Sequence, residues 1–276
     1  MNLDNSYFNI YRLMAVSLIL FFFTKLNAQE DWIDYVAMKD KGIMSVSVDL
    51  EVDISKPNFK NLLIVGTKYD ACMANGFPKE AGLDQLFAFS DSIATAINKI
   101  TRNRLVGIIT YQCMGFDIYY VKDTLSLRNT LKNVIAKNFK TPETFIGMNE
   151  DKLWTYYYEL LYPGNFSIEF MIDQNYLYGL ALQGDDLQGL RKVDHWLYFK
   201  KLKNRNKAGE RLKMLDFSLD SIAFDKTRSF PYELRISRKD SIKPSSIQQL
   251  TSMLRLLCTT FNAQYDGWST ELIVKQ

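Results

Sequence analysis

The sequence predicts a mixed α+β protein with two domains that follow an N-terminal export signal. The chain of 276 residues is longer than most single domains, and 47% of its side chains are hydrophobic. Along the chain the apolar pattern alternates between a period of two residues, typical of strands, and a period of 3.6 residues, typical of helices. We therefore expect two domains, each built from antiparallel strands and covering helices.

The N-terminal segment has the pattern of a signal peptide. Residues 13–23 form an apolar run without charge, preceded by Arg12 and followed by the small residue Ala28. This run is shorter than the roughly 20 residues that a membrane-spanning helix needs. We expect a signal peptide over residues 1–28 and export to the periplasm or the medium. An uncleaved membrane anchor is the alternative.

The composition of the remaining chain points to no particular partner. Without residues 1–28 the chain keeps 32 basic and 30 acidic side chains, a net charge of about +2. Its three cysteines, Cys72, Cys113 and Cys258, have no CxxC spacing, so neither a redox motif nor a zinc site is indicated. A Cys72–Cys113 bridge is one option, but unpaired buried thiols are the favoured interpretation.

The first domain, predicted over residues 29–164, has the order ββαββαβ. Its first two strands are expected to form a hairpin through the turn residues Ser55 to Asn58. A second hairpin is expected to reverse near Gly115. The predicted elements are strands at 43–52, 61–69, 105–114, 116–122 and an aromatic strand at 154–161, with helices at 83–100 and 127–139.

The second domain, predicted over residues 191–276, has the order βαββαβ, which is the ferredoxin-like signature. Residues 165–190 precede it as a connecting helix and linker. The predicted strands lie at 193–199, 217–224, 232–236 and 268–274, and the predicted helices surround 208–215 and 247–261. We expect the first domain to be an elaborated version of the same arrangement of strands and helices.

No catalytic constellation is recognisable, so an enzyme is the minority hypothesis. The only histidine, His195, shares a strand face with Val193 and Leu197, which favours a core residue over a catalytic base. We find no P-loop, GxGxxG, GxSxG or HExxH motif, and we expect no cofactor and no metal. Asp185 and Asp186 are expected to form a solvated turn, although a carboxylate-based hydrolase site between the domains is an alternative.

The clearest charge feature is residues 191–213, with nine basic side chains against Asp194 and Glu210. Such a cluster suits an acidic protein, phosphates or anionic lipid, whereas a solvated surface is the more usual role for basic helices. The candidate binding residues are Lys200, Lys201, Lys203 and Arg205. Nucleic acid is not expected as a partner of an exported protein. A membrane contact is expected only through an uncleaved N-terminus.

A short motif near the C-terminus leads to a family resemblance. Asp266, Gly267 and Trp268 are expected to form a turn into the last strand. Together with the segment 191–199 (RKVDHWLYF) and the basic helix, this motif resembles the regulator of ribonuclease E activity B (RraB) family. The earlier part of the chain resembles the domain-of-unknown-function family 695, through Trp32, residues 76–78 (GFP) and the aromatic segment at Trp154.

The RraB resemblance implies a ferredoxin-like fold and action by protein binding without chemistry. Founding members of that family inhibit an RNA-degrading endonuclease in the cytoplasm, which an exported protein cannot meet. We therefore expect a non-enzymatic binding or regulatory module of the bacterial envelope, with a protein partner. The resemblance adds Asp266, Gly267 and Trp268 to the candidate binding residues. A membrane-anchored regulator of RNA turnover is the alternative that keeps the family's activity.

Overall fold

Two antiparallel sheets carry the fold. The computed structural model describes residues 32–40, 42–52, 59–140, 143–164 and 167–274. The predicted signal peptide, residues 1–28, lies outside these ranges. Trp32–Gln276 form one compact unit, and the predicted domain boundaries at residues 164 and 190 stay predictions. Within the described residues, no helix has both the length and the apolar character needed to cross a membrane.

The first sheet contains six strands in the order β1-β2-β4-β5-β3-β6, and every neighbouring pair is antiparallel. Its strands are β1 (Trp32–Lys39), β2 (Gly42–Asp49), β3 (Asn61–Lys68), β4 (Asn103–Tyr111), β5 (Met114–Val121) and β6 (Thr144–Glu150). Helices α1 (Glu80–Ile100) and α2 (Leu127–Asn138) enclose an apolar cluster against this sheet. The cluster includes Ile93 and Ile97 of α1 and Leu131 of α2, as the helical spacing predicts.

The first predicted hairpin is wrong. Strand β2 pairs with β1 and β4, whereas β3 pairs with β5 and β6. The alternating stretch that begins at Trp32 is long enough for two strands, and they reverse at Asp40, whose φ is +47°. Asp tolerates this left-handed conformation better than most residues. The pattern of alternation alone marks where strands lie and leaves their neighbours undecided.

The second predicted hairpin, between β4 and β5, is confirmed with a different turn. The chain reverses at Gln112 and Cys113, which both have positive φ, and Gly115 lies inside β5. A Cβ atom on Gly115 would stand 2.5 Å from Cδ2 of Leu86. A side chain at position 115 would therefore displace the Leu86 side chain of α1, which packs closely against the strand.

The aromatic segment at 154–161 is helical, which corrects the predicted strand. The Asp151 carboxylate accepts hydrogen bonds from the backbone N–H groups of Thr155 (2.9 Å) and Tyr156 (3.0 Å) and so starts the turn. The segment ends as a π-helical turn, Tyr157–Leu161. Its rings pack on the sheet, with Trp154 stacked on Tyr120 at 3.7 Å. The aromatic side chains that suggested a strand instead cover a sheet face.

The second sheet confirms the ferredoxin-like prediction. Its four antiparallel strands have the order β10-β7-β9-β8, and the elements follow the chain order βαββαβ. They are β7 (Leu190–Phe199), α4 (Leu202–Lys213), β8 (Ser218–Phe224), β9 (Tyr232–Ser241), α5 (Pro244–Thr260) and β10 (Ala263–Thr270). The last strand thus begins five residues earlier than the sequence pattern predicts.

Helix α3 (Ile168–Leu182) connects the two sheets. It packs against β1 of the first sheet and against α5 of the second. One apolar cluster includes Val36 of the first sheet, Leu177 of α3 and Leu197 of the second sheet. A helix that is apolar on most sides is expected to be buried on more than one side, and α3 is such a helix.

A disulfide joins Cys72 to Cys113, with a Cα–Cα distance of 5.6 Å. The expectation of unpaired thiols is therefore wrong for these two residues, whereas Cys258 is free and buried. The bridge fixes the segment after β3 to the β4–β5 turn. This segment also contacts the end of α3 and the residues that follow it. The Asn75 amide donates hydrogen bonds to the carbonyl oxygens of Ala181 (2.7 Å) and Asp185 (3.0 Å).

We predict that replacing Cys72 and Cys113 by Ser lowers the free energy of unfolding by about 2–4 kcal/mol, because the unfolded chain regains the freedom of a long loop. Urea denaturation with and without dithiothreitol measures this effect. The reductant should destabilise the parent protein by a similar amount and leave the double variant unchanged. An equal response of parent and variant to the reductant would contradict the bridge.

Candidate partner-binding surface

Helix α4 presents most of the basic cluster on one side of the second sheet. Ala208, Gly209 and Leu212 face the core, and a Cβ on Gly209 would stand 3.3 Å from the Leu219 side chain of β8. Of the predicted residues, Lys200, Lys201 and Lys203 are exposed and Arg205 is partly buried. The structure therefore brings these four together where β7 ends and α4 begins.

Two of the nine basic residues in the cluster serve the fold. Arg191 is fully buried and pairs with the equally buried Asp185. Lys192 binds Asp194 (3.1 Å) and Asp220 (3.2 Å) on the sheet. The stretch 200–213 keeps seven basic side chains against Glu210 alone, a net charge of +6. The surface charge is thus concentrated on α4 and the residues just before it.

The Asp185–Asp186 pair is not the solvated turn that the sequence predicts. The Asp185 carboxylate accepts hydrogen bonds from Arg191 (2.9 Å to Nη2) and from the backbone N–H of Leu187 (2.8 Å) and Ile273 (2.9 Å). A buried carboxylate requires such a set of donors. The charge partner lies six residues further along the chain, on a strand that only the fold brings next to it.

The sheet face opposite the helices carries aromatic rings that already have cationic neighbours. Arg235 lies 5.1 Å from the ring centre of Trp196, and Arg228 lies 4.4 Å from that of Tyr198. Arg235 also binds Asp194 at 3.2 Å. These rings are therefore occupied by cation–π contacts within the protein. This arrangement does not favour base stacking on these rings.

Asp266, Gly267 and Trp268 lie within β10, which corrects the predicted turn. A β-bulge falls between Tyr265 and Gly267, where φ of Gly267 is +127°. The bulge re-aims the following residue, so that the Trp268 side chain points into the core and Asp266 is exposed. Among the three motif residues, Trp268 is buried and Asp266 is accessible to a partner.

Trp268 is held by a buried carboxylate that the sequence analysis did not identify. Its indole Nε1 donates to Asp173 of α3 (2.9 Å), which also accepts from the Thr251 hydroxyl (2.6 Å) and from Arg255 (3.1 Å). Asp173 thereby joins α3, α5 and β10. The only signal in the sequence was its position in a helix that is otherwise largely apolar. A cleft of about 300 Å³ lies beside it, and the charged Arg255 in its wall is already paired with Asp173.

His195 is a core residue, as the alternation on β7 predicts. It is fully buried, and its Nδ1 lies 2.9 Å from the Tyr265 hydroxyl. Burial, with a contribution from Arg238, lowers the pKa of His195 to about 3. The ring is therefore neutral at physiological pH. Among the described residues, no group of three or more His, Cys, Asp or Glu side chains is placed to hold a metal ion.

The fold and this surface define an α+β protein with a ferredoxin-like second half and a basic helix on that half. Comparison with protein families agrees with this description. Residues 30–162 match the family of unknown function DUF695, and residues 171–270 match Regulator of ribonuclease activity B. Both predicted resemblances are confirmed, in the predicted order along the chain. No curated protein shows significant sequence similarity to this chain.

Similar solved structures have low structural agreement with this chain. A proposed glycine cleavage system transcriptional repressor is 10% identical, with a TM-score of 0.24, and the match covers 77% of this chain and 98% of that one. An unknown protein from Galdieria sulphuraria is 9% identical, with a TM-score of 0.21, and the match covers 78% and 99%. Neither carries an argument about function.

We predict that the pH dependence of stability reflects two buried groups with opposite effects. In the unfolded state His195 takes up a proton near pH 6.5, whereas in the folded state it does so only near pH 3. This group therefore destabilises the folded state as the pH falls from 6.5 towards 3. Burial raises the pKa of Asp117 to about 6, so this group stabilises the fold as pH falls from 6 towards 3.8.

Urea unfolding at pH 7, 5.5 and 4.5 separates these effects. Relative to the parent, His195→Gln should lose a slope of up to about 1.4 kcal/mol per pH unit, so that acidification destabilises it less. Asp117→Asn should shift the slope in the opposite direction. Profiles of both variants that run parallel to the parent profile would contradict this assignment.

Proposed function

We propose that this protein is an exported, non-enzymatic protein-binding module of the bacterial envelope, and that it holds an acidic partner with the basic helix of its ferredoxin-like half. We call residues 200–213 the basic segment. Its charge is the observation that carries the proposal. Within the basic segment, Glu210 binds Lys213 (3.1 Å), which leaves six basic side chains without an acidic neighbour in the segment.

The backbone adds to this charge. Helix α4 begins after Lys201, and no acidic residue lies in its first turn. The N-terminal end of a helix carries a partial positive charge that acidic side chains usually offset. Here Lys200, Lys201 and Lys203 surround it instead. Basic residues at this end of the helix destabilise it locally, and their positive charge adds to that of the helix end. This arrangement suits a surface that attracts anionic groups.

A protein partner fits this surface better than a small substrate. The family matched by residues 171–270 is described as a regulator, and the basic segment lies on an exposed helix. A convex, charged helix suits an extended contact with another macromolecule, whereas small ligands favour concave apolar sites.

Export is supported by two independent features. One is the short apolar run at residues 13–23 with a small residue at position 28. The other is the Cys72–Cys113 disulfide, because structural disulfides are typical of oxidising compartments. The family description favours a second candidate, an anchored regulator of a ribonuclease that keeps residues 1–28 and faces the cytoplasm.

We predict that the protein from fractionated native cells begins near Gln29 and is found in the envelope or the medium. Signal peptidase removes the apolar segment during export. Intact mass and N-terminal sequencing measure this directly. Recovery of a chain that keeps Met1 and faces the cytoplasm would reject export and favour the ribonuclease regulator.

We predict that changing Lys200, Lys201, Lys203 and Arg205 to Ala weakens partner binding at least about tenfold, because several charge-assisted contacts are lost together. Quantitative crosslinking in envelope fractions, with identification of the stoichiometric partner, provides the measurement. The matched control changes four exposed lysines of the first half to Ala and removes the same charge: Lys79, Lys99, Lys132 and Lys137.

The control variant should bind as the parent does and should show the same dependence on salt. Equal binding by the basic-segment variant would reject this surface. Recovery of the parent only as a free monomer would reject the proposed function itself.

A further inference from the structure

Among the described residues the two sheets have four edge strands, and on three of them a side chain of the same chain forms a hydrogen bond with one backbone group of the strand. At β1 the Val36 N–H donates to the Gln174 side chain of α3 (2.9 Å). At β6 the Arg128 side chain of α2 donates to the Ile146 carbonyl (2.8 Å). At β10 the Thr270 N–H donates to the Tyr176 hydroxyl (3.4 Å). A side chain that binds an edge backbone group hinders the pairing of another strand at that point.

Strand β8 is the exception. Among the described residues, no side chain forms a hydrogen bond with its backbone, and six of its seven residues are exposed. Ile222 is 62% exposed and Phe224 is 61% exposed. This edge therefore presents both apolar side chains and backbone groups to the solvent.

The ladder between β8 and β9 shows which backbone groups are free to pair. The Asp225 N–H donates to the Pro231 carbonyl (2.9 Å), so the backbone at position 225 faces β9. In an antiparallel pair the direction alternates with each residue. Ile222 and Phe224, which lie opposite Leu234 and Tyr232, therefore direct their N–H and C=O groups away from the sheet.

The first part of β8 is protected against pairing and the second part is not. A bulge between Leu219 and Ser221, together with Asp220, interrupts the edge near its start. Bulges, charges and prolines are the usual devices that prevent strand addition. The following residues 221–224 (SIAF) contain none of them. The open edge is thus four residues long.

The charge beside this edge indicates what occupies it. Helix α4 packs against β8, and Gly209 of the helix lies close to Leu219 of the strand. A strand added to β8 would run alongside the basic segment, with its net charge of +6. A second copy of this chain would bring a second basic segment to the same side of a joined sheet, and like charges there oppose pairing.

We propose that β8 accepts an extended acidic segment of a partner protein by antiparallel or parallel strand addition at residues 221–224. This inference rests on the proposed function and specifies how the partner is held. Main-chain hydrogen bonds from Ile222 and Phe224 supply the pairing, and the basic segment selects acidic side chains. The two exposed apolar side chains supply the remaining contact area.

Two variants at one position separate the backbone from the side chain. Ile222→Pro removes an outward N–H and keeps the ladder to β9, because proline is tolerated where the N–H faces solvent. Ile222→Thr also shortens the apolar side chain but keeps the N–H. Only Ile222→Pro should block strand addition. Thermal unfolding shows whether each variant is folded.

The probe is a capped ten-residue peptide that alternates Glu with Val, and the control peptide has Lys in place of Glu. Fluorescence anisotropy with the full protein should show binding of the acidic peptide alone. Ile222→Pro should weaken binding by about tenfold or more, and Ile222→Thr by less. Hydrogen exchange should slow at the amides of Ile222 and Phe224 when the acidic peptide binds.

Each other outcome overturns the inference. Equal binding by Ile222→Pro and Ile222→Thr would mean that the basic segment holds the peptide without strand addition, and the proposed function would stand. Dimerisation of the free protein that Ile222→Pro abolishes would identify a second copy as the occupant. No binding of either peptide would reject strand addition, while the crosslinking experiment would still decide the proposed function.

Discussion

The structure depends on the requirement that buried polar groups find partners, and helix α3 shows this most directly. Its neighbouring residues Asp173 and Gln174 are both buried in a helix that is otherwise largely apolar. Gln174 accepts the N–H of Val36 from the first sheet, while Asp173 accepts hydrogen bonds from Trp268 and Thr251 of the second half. Two adjacent side chains thus connect α3 to both sheets. Because a buried group without its partner is costly, these contacts specify how α3 lies between them.

The same requirement distinguishes charges that are paired inside the fold from charges that remain exposed. Arg191 has its charge neutralised by Asp185 inside the fold, whereas the basic residues of α4 have almost no acidic neighbours. Aromatic residues on the open sheet face are likewise covered by Arg228 and Arg235. The basic segment and the adjoining edge of β8, in contrast, are exposed. A binding function fits this distribution because the basic side chains of the segment are largely exposed and six of the seven have no acidic neighbour within it.

Sequence patterns placed the elements of the second half well and those of the first half less well. Helices α4 and α5 and strands β7 and β9 follow their apolar spacing, because each has one face in the core. The segment at Trp154 was misassigned because aromatic residues suit a strand, yet Asp151 starts a helical turn there and the rings cover a sheet. The basic surface residues were identifiable from composition. The role of Trp268 was not, because its partner Asp173 lies 95 residues earlier.

Sequence patterns alone were enough to predict the α+β class, the ferredoxin-like order of the second half, the core position of His195 and the basic character of residues 200–213. These follow from periodicity and charge, which are local properties of the chain. The folded structure was needed to establish the strand neighbours of the first sheet, the Cys72–Cys113 bridge, the burial of Asp185 and the exposed edge of β8. Each of these depends on contacts, or on the lack of a covering group, between separate elements of the fold. Such relations follow from how the whole chain packs.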